Sequence, residues 1–584
     1  MKRDLATLAN QTFDLVVVGG GIFGITAAYD AALRGLSVAL LEQGDFAHAT
    51  SANSFRIIHG GIRYLQHADV YRIRESSRER SALLRVAPHL AEPLPILIPT
   101  YGHGKKGKEF LAAGLTVYDL LTADRNRGQA DPERRIPRGR LLSRCEALAL
   151  YPDLDTRGLT GGALFSDGQM YNPPRLALSF LRSAVAAGCV AANYAQVTSF
   201  LRRGDRVTGV RVTDRLGGSE FDVQGRVVLN AAGPWAESLL GEGLGWRPQP
   251  HGTYSRDACF IVRRTSPHHT ALAVPGQTRD PDAILSREAR HLFLAPWRDV
   301  TLVGTWHVVH KSRPGDFRVT DAELQAFIDE VNASYPALGL TLDDVTLWNA
   351  GLVLFGENTE GATNLSYGKR SKIMDHAEEH GVEGLITSIG VRWTTARGVA
   401  ERTMPLVFRK LGREAPPCTT AERPVHGGAI GAFASFARDL GAGPLAGHED
   451  RVVQSIAHNY GSEYGRVLAC AAGRPELRAT LGRSHVLGAE VAHAVREEMA
   501  HTLGDVVFRR TDMGTARHPG AAALEGAAAI LADELGWSPA ERERQLDEVE
   551  AAFRRLGART QDEPQDATAH GGAHGGAHAR GSRP

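Results

Sequence analysis

The stretch Phe13-Asp14-Leu15-Val16-Val17-Val18-Gly19-Gly20-Gly21-Ile22-Phe23-Gly24 decides the fold. Residues 13–18 form a short β-branched apolar run, which predicts a buried parallel strand. A helix is predicted over 25–34 from Ala27, Ala28, Ala31, Ala32 and Leu33, and Gly35 stops it. Residues 36–41 predict the next strand, which ends on Glu42. Strand, GxGxxG (Gly19, Gly21, Gly24), helix, strand and acid, in that order, make the dinucleotide-binding fingerprint. Gly19 allows the tight turn, Gly21 lets backbone approach a pyrophosphate, and Gly24 lets the helix pack close to the strand. The helix N-terminus then faces the phosphates. Glu42, 18 residues past Gly24, is placed to accept the ribose hydroxyls, and a carboxylate there disfavours a 2′-phosphate.

Beyond this unit, residues 191–197 read as the strand that crosses the adenine. Arg226-Val227-Val228-Leu229-Asn230-Ala231-Ala232-Gly233-Pro234-Trp235 reads as a later strand of the same sheet, closed by Gly233. The long insertion between the sheet halves is typical of two-domain flavoproteins and favours FAD over NAD. At about 150 residues per domain, 584 residues give three to four domains. Lys+Arg total 67 against Asp+Glu 66, so the net charge of +1 argues against a chain-wide polyanion partner, and no nucleic acid is expected. Cys145, Cys189, Cys259, Cys418 and Cys470 are scattered without CxxC spacing, which excludes a disulfide framework and suits a reducing compartment. The absence of a run of 18 apolar residues predicts no membrane span, and residues 1–13 are too short and polar for a secretory leader. The histidines show no HExxH or comparable spacing, so no metal is expected. Glycine is abundant, 64 of 584 residues.

Several further runs carry a family resemblance. They are Ala49-Thr50-Ser51-Ala52-Asn53-Ser54-Phe55-Arg56-Ile57-Ile58-His59-Gly60-Gly61-Ile62-Arg63-Tyr64-Leu65, the 230–235 run, Ala295-Pro296-Trp297, Gly304-Thr305 and Thr394-Thr395-Ala396-Arg397. Residues 494–500 and 505–511 extend them into the C-terminal part. Over roughly residues 13–515 the chain resembles FAD-dependent glycerol-3-phosphate dehydrogenases. The resemblance implies an α/β fold: a Rossmann-like FAD-binding domain of glutathione-reductase type, interleaved with an antiparallel-sheet substrate domain, then a helical C-terminal domain. The FAD-dependent region is expected over 13–415, with FAD-binding segments near 13–90, 160–250 and 380–412 and substrate segments near 91–159 and 251–379. A linker is expected at 416–425, helices over 426–558 and a disordered His- and Gly-rich tail at 559–584. Strand-like runs at 258–262 and 300–305 and a helical pattern over 321–333 agree with this plan.

The resemblance also implies functional residues. Ser51, Ser54, Arg56, Gly61, Val197, Gly233, Trp235, Gly390, Thr394 and Thr395 are expected at the FAD, with the fingerprint glycines and Glu42. His59 is expected beside the flavin, with Arg63, Tyr64, Arg370 and Arg392 toward the substrate. Histidine suits the proton transfer that accompanies hydride loss, and guanidinium suits a phosphate. Of the seven arginines in 51–90, most are expected on an exposed helix face, with Arg72–Glu75 and Glu75–Arg78 pairs at i,i+3 spacing.

Four substrate-side segments depart from the better-known members. Arg256-Asp257-Ala258-Cys259 replaces Lys-Gly-Ser-His, and Gly304-Thr305-Trp306-His307 replaces Gly-Thr-Thr-Asp. Gly351-Leu352-Val353-Leu354 replaces Gly-Val-Arg-Pro and removes one phosphate ligand, while Arg392 replaces lysine. His307 and Arg256 are candidates to compensate. The expected activity is oxidation of glycerol 3-phosphate, or a close polyol phosphate, to dihydroxyacetone phosphate or the matching ketone, with electrons passed to quinone. Two alternatives stay open: a flavoenzyme oxidising another hydroxy acid, polyol or amine with oxygen, and a non-catalytic flavoprotein scaffold. Residues 101–127 carry Lys105, Lys106, Lys108, Arg125 and Arg127 around Phe110, Leu111, Leu115, Tyr118 and Leu121. That basic-flanked segment suits peripheral contact with the inner face of the cytoplasmic membrane, or else an ordinary surface helix of a cytoplasmic protein. A homodimer is left open.

Overall fold

The computed structural model describes residues 1–103, 107–246, 252–279, 281, 289–368 and 370–558. The tail expected at 559–584 lies outside the described residues. Two sheets share the chain. In the first, strand Thr12–Val18 lies between Val38–Leu41 and Glu220–Asn230, parallel to both. Val190–Ala192 extends it on one side and Leu385–Ile389 on the other, both parallel. Lys372–Asp375 closes the edge antiparallel. Leu15, Val16, Val17 and Val18 are all buried, as a strand covered on both faces requires. Helix Ile22–Leu33 packs between helices Pro173–Ala186 and Ala396–Lys410. Its alanines allow that close approach.

The run expected as one strand over 191–197 is two. Val190–Ala192 stays in the parallel sheet, while Ala195–Arg203 leaves it to pair antiparallel with Arg206–Asp214. The break falls at Asn193-Tyr194, where Tyr194 has a φ of 53°.

The second sheet orders its strands Val345–Leu354, Tyr254–Arg263, Val300–His310, Ala289–Trp297, Ala271–Arg279, Ala91–Tyr101, Leu159–Met170 and Ile57–Ile58. All neighbours are antiparallel except Ala271–Arg279 with Ala91–Tyr101. Two boundaries therefore move. Leu159–Met170 pairs along its length with Ala91–Tyr101, so the first substrate segment runs past 160. Lys372–Asp375 pairs in the first sheet, ahead of the boundary expected near 380. Helix Asp321–Ser334 covers one face of the second sheet and starts with a Thr320–Glu323 capping box.

Residues 411–432 carry no helix or strand, and helices dominate beyond them. Val491, Ala492, Leu524 and Phe553 from these helices share one core with Ile261, Trp297, Leu302 and Leu347 of the second sheet. The seam also holds buried ions. Asp45 accepts Arg509 Nε at 2.5 Å and both terminal nitrogens of Arg510 at 2.7 Å. Glu498 takes Arg175 at 2.6 Å and Arg182 at 3.1 Å. Asp512 takes Arg298 at 2.7 Å.

The arginine-rich stretch is corrected by burial. Arg56, Arg72 and Arg80 are buried. Arg72 pairs with Asp69 and Arg78 with Glu401, while Glu75 holds Arg392 and Arg402, so neither expected i,i+3 pair forms. For Arg78 and Glu75, partners from distant segments take these side chains instead.

Asp45→Asn leaves two guanidinium groups against a neutral amide in a dry seam. A loss of about 3–5 kcal/mol is expected in denaturant titration of the holoprotein. Burial opposes ionisation of Asp45, but Arg510 and Arg509 hold its carboxyl far below the usual range. Its contribution is therefore complete above the unfolded carboxyl pKa and fades as pH falls below it. The native protein should lose stability on acidification more steeply than Asp45→Asn; equal acid profiles would contradict this.

Candidate active site

The carboxyl ends of Thr12–Val18 and Glu220–Asn230 meet where the parallel sheet changes direction, the place an α/β sheet offers a ligand. A cavity of about 700 Å³ opens there and reaches the second sheet. Gly19, Gly21, Glu42, Ser51, Ser54, Val197, Gly233, Trp235, Gly390 and Thr394 all line it. Gly19 has a φ of 107°, and a Cβ there would sit 2.6 Å from the Ala231 carbonyl oxygen. A Cβ on Gly24 would sit 1.9 Å from the Gly19 carbonyl oxygen, so Gly24 shapes the cradle from behind. A Cβ on Gly21 would meet only Ser51 Oγ at 3.2 Å, so Gly21 presents bare backbone to the cavity. Glu42 accepts the Gly20 N–H at 2.7 Å and the Gly44 N–H at 2.8 Å, which fixes its carboxylate at the wall. Ser51 Oγ accepts the Ile22 N–H at 3.0 Å. A glycine cradle, a helix N-terminus and a fixed carboxylate in one cavity of cofactor size fit a dinucleotide such as FAD.

His59, Arg63, Tyr64 and Arg392 line the same cavity. His59 Nδ1 lies 3.2 Å from Asp167 Oδ2. The other oxygen of Asp167 accepts the Gly60 N–H at 2.6 Å and Arg80 Nη1 at 3.0 Å. Arg80, with no side-chain exposure, thereby anchors the glycine turn. Burial opposes ionisation of Asp167, but its His59, Arg80 and Gly60 partners hold the carboxyl below its ordinary range. Arg392 donates to Tyr64 Oη at 3.2 Å, Ser76 Oγ at 3.0 Å and Glu75 Oε2 at 2.9 Å. The Arg63 guanidinium stacks on the Tyr367 ring at 4.5 Å. Asp257, His307 and Val353 also form the wall. His307 Nδ1 is 2.8 Å from Asp257 Oδ1, and its Nε2 is 2.7 Å from Tyr367 Oη.

Other expected residues stand elsewhere. Arg56 is buried away from this cavity, stacked on Trp297 at 3.9 Å and bonded to Asn349 Oδ1 at 2.8 Å. It lines a smaller cavity of about 210 Å³ instead. Its φ of 63° turns the side chain toward the second sheet while Ser54 and Phe55 stay in the main cavity. Arg370 is exposed and stacks on Tyr71 at 4.6 Å, outside the lining. Gly61, at a φ of 90°, packs against helix Val70–Val86, and buried Thr395 bonds the Arg392 carbonyl. Arg256 is held by Glu323 at 2.7 Å and is not among the residues that line the cavity. Asp167, Glu75 and Tyr367 carry no motif that would single them out, because their partners are more than 50 residues away.

One cluster corrects the expectation of no metal spacing. His376, Glu379 and His380 place ligand atoms within 4.8 Å of one another on one helical face. His376 Nδ1 and His380 Nδ1 are 3.2 Å apart, and His376 Nε2 bonds Thr387 Oγ1 at 2.8 Å. The five cysteines are unpaired.

Substitutions separate cradle from scaffold. Gly21→Val should fold yet lose flavin, because its side chain enters the space of the pyrophosphate. Gly24→Ala should instead destabilise the fold itself, since backbone stands 1.9 Å from the new Cβ. Flavin absorbance and melting temperature check both; a normal yellow Gly21→Val holoprotein would contradict the assignment.

Comparisons with known proteins agree with this geometry. The family described as FAD dependent oxidoreductase matches residues 14–397, and the C-terminal domain of alpha-glycerophosphate oxidase matches residues 418–542. Glycerol-3-phosphate dehydrogenase of Synechocystis sp. is 34% identical over 555 residues, covering 93% of this chain and 97% of that protein. Glycerol-3-phosphate dehydrogenase 2 of Mycobacterium tuberculosis is 31% identical over 569 residues, covering 96% and 91%. The crystal structure of the Bacillus halodurans glycerol-3-phosphate dehydrogenase complexed with FAD shares the fold, with a TM-score of 0.73 at 24% identity over 96% of this chain and 99% of that one. With its glycine cradle, interleaved sheets and helical C-terminal part, the chain belongs to the FAD-dependent glycerol-3-phosphate dehydrogenase family of oxidoreductases.

Proposed function

We propose that this protein oxidises sn-glycerol 3-phosphate, or a close polyol phosphate, to dihydroxyacetone phosphate or the matching ketone, and that a quinone takes the electrons. The observation that carries this is one cavity holding both the dinucleotide cradle and a cationic wall of Arg63, Arg72 and Arg392. Relatives named glycerol-3-phosphate dehydrogenase support it. FAD, when bound, supplies the two-electron acceptor for the carbinol hydride. Gly19, Gly21, Glu42, Ser51, Val197, Trp235, Gly390 and Thr394, which all line the cavity, hold that cofactor.

The chain's own side chains set specificity. Arg63, Arg72 and Arg392 are the phosphate ligands this wall offers: Arg392 is shared with Glu75, Arg72 with Asp69, and Arg63 stacks on Tyr367. Tyr64 and Arg392 hold each other and fix the pocket's shape. Val353, where the resembling enzymes carry arginine, leaves an apolar wall with one phosphate ligand fewer. The same change favours the second reading, oxidation of an unphosphorylated hydroxy acid or polyol with oxygen as acceptor.

Electron delivery rests on helix Lys108–Leu121. Of the side chains expected to form its apolar face, Leu115 and Tyr118 are buried and Phe110 is exposed; Val117 and Leu120, outside that expected set, are exposed as well. We infer that these three exposed side chains rest on a lipid surface where quinone is dissolved. Among the described residues, no helix is long and apolar enough to cross a membrane.

Anaerobic addition of glycerol 3-phosphate should bleach the flavin. Bleaching by unphosphorylated alcohols alone would select the second reading, and no bleaching by any alcohol would overturn both. Arg63→Ala should raise KM by roughly 10- to 100-fold with flavin retained, the loss expected for a charged hydrogen bond. Leu120→Glu should weaken co-sedimentation with anionic vesicles while leaving flavin reduction unchanged.

A further inference from the structure

The cavity contains a hydrogen-bonded chain to which phosphate binding gives no task. Asp257 on Tyr254–Arg263 and His307 on Val300–His310 are directly opposed in the strand register. Asp257 Oδ1 stands 2.8 Å from His307 Nδ1 and also accepts Ser255 Oγ at 2.7 Å. His307 Nε2 stands 2.7 Å from Tyr367 Oη, with Thr305 Oγ1 at 3.3 Å. A carboxylate at Nδ1 assigns the ring proton there and leaves Nε2 as the acceptor of the Tyr367 hydroxyl. The Tyr367 ring lies against two guanidinium groups, Arg63 at 4.5 Å and Arg290 at 3.9 Å. Arg313 and Asp316 also line the cavity.

The second histidine–carboxylate pair differs in one physical respect. Asp167, behind His59, also binds the buried Arg80 guanidinium, which neutralises it. Asp257 is bonded by no guanidinium among the described residues. A positive charge formed on His307 therefore meets a carboxylate whose charge is not already spent.

We propose that Tyr367 and His307 form the exit for the substrate's hydroxyl proton. This rests on the reading of the site as an alcohol dehydrogenase. As the carbinol C–H bond breaks and its electron pair leaves as hydride to the flavin, the substrate O–H proton passes to Tyr367 Oη. Tyr367 releases its own proton to His307 Nε2, and the carbonyl double bond forms. One alcohol gives one ketone, two electrons on the flavin and one proton on the imidazole, held by Asp257 until solvent removes it. Asp257 and His307 fall in two of the four segments that depart from the better-known members of the family.

The test uses the flavin-loaded protein and the alcohol that reduces the native enzyme fastest. His307→Gln should slow anaerobic flavin reduction by about 100-fold or more, and Tyr367→Phe by about tenfold or more. Calorimetric affinity for a non-oxidisable phosphate analogue should stay within about threefold of native, because the relay moves a proton and does not bind the phosphate. The acidic limb of the native pH–rate profile should disappear in His307→Gln, and added imidazole should restore rate to His307→Ala. Native-like reduction by both variants would overturn the relay, as would a rate loss matched by an equal loss of analogue affinity. If no alcohol reduces the native flavin, the dehydrogenase reading fails first and the relay with it.

Discussion

Backbone meets backbone at the end of the first strand, and the active site is built around that contact. A Cβ on Gly24 would stand 1.9 Å from the Gly19 carbonyl, and one on Gly19 would stand 2.6 Å from the carbonyl of Ala231. Helix Ile22–Leu33 and the two central parallel strands can converge only without side chains at these points. Their convergence puts a helix N-terminus, the fixed carboxylate of Glu42 and the turn carrying Gly233 and Trp235 around one space. A similar restriction appears at Gly390, where a Cβ would fall 2.0 Å from the Phe23 ring.

The second sheet must then be held against that cradle, and buried charge does much of the holding. Asp45 follows directly on the Glu42 turn and binds Arg509 and Arg510 of the C-terminal part. Glu498 and Asp512 bind Arg175, Arg182 and Arg298 across the same seam. Each pair is expensive to desolvate and more expensive to break, so these ions enforce one arrangement of the segments more than they add stability. Arg80 plays the same part inside the site, fixing Asp167 and through it the His59–Gly60 turn.

Much of this was legible in the sequence. Gly19, Gly21, Glu42, Ser51, Val197, Trp235, Gly390 and Thr394 all reach one cavity, as do His59, Arg63, Tyr64 and Arg392. Arg56 and Arg370 do not, although they sit in equally suggestive runs. A run fixes which residues are near in chain, but a left-handed backbone at Arg56 sends its side chain to the opposite side. The arginines of 51–90 show the same limit. Their charge predicted exposure, yet Arg72 and Arg80 are buried, Arg72 on the nearby Asp69 and Arg80 on the Ser166 carbonyl and Asp167 of a distant strand.

What the sequence determined by itself was local: a tight glycine turn, a strand buried on both faces, a helix poor in side-chain bulk, and a carboxylate at a fixed distance. Those follow from backbone sterics and hydrophobic period, which act over a few residues. Only the tertiary structure decided which charges are spent and which are available. Asp167 is neutralised by Arg80, Arg392 by Glu75 and Arg256 by Glu323, whereas Asp257 faces His307. Those pairings join residues far apart in the chain, and Coulomb attraction depends on distance in space, which a sequence does not contain.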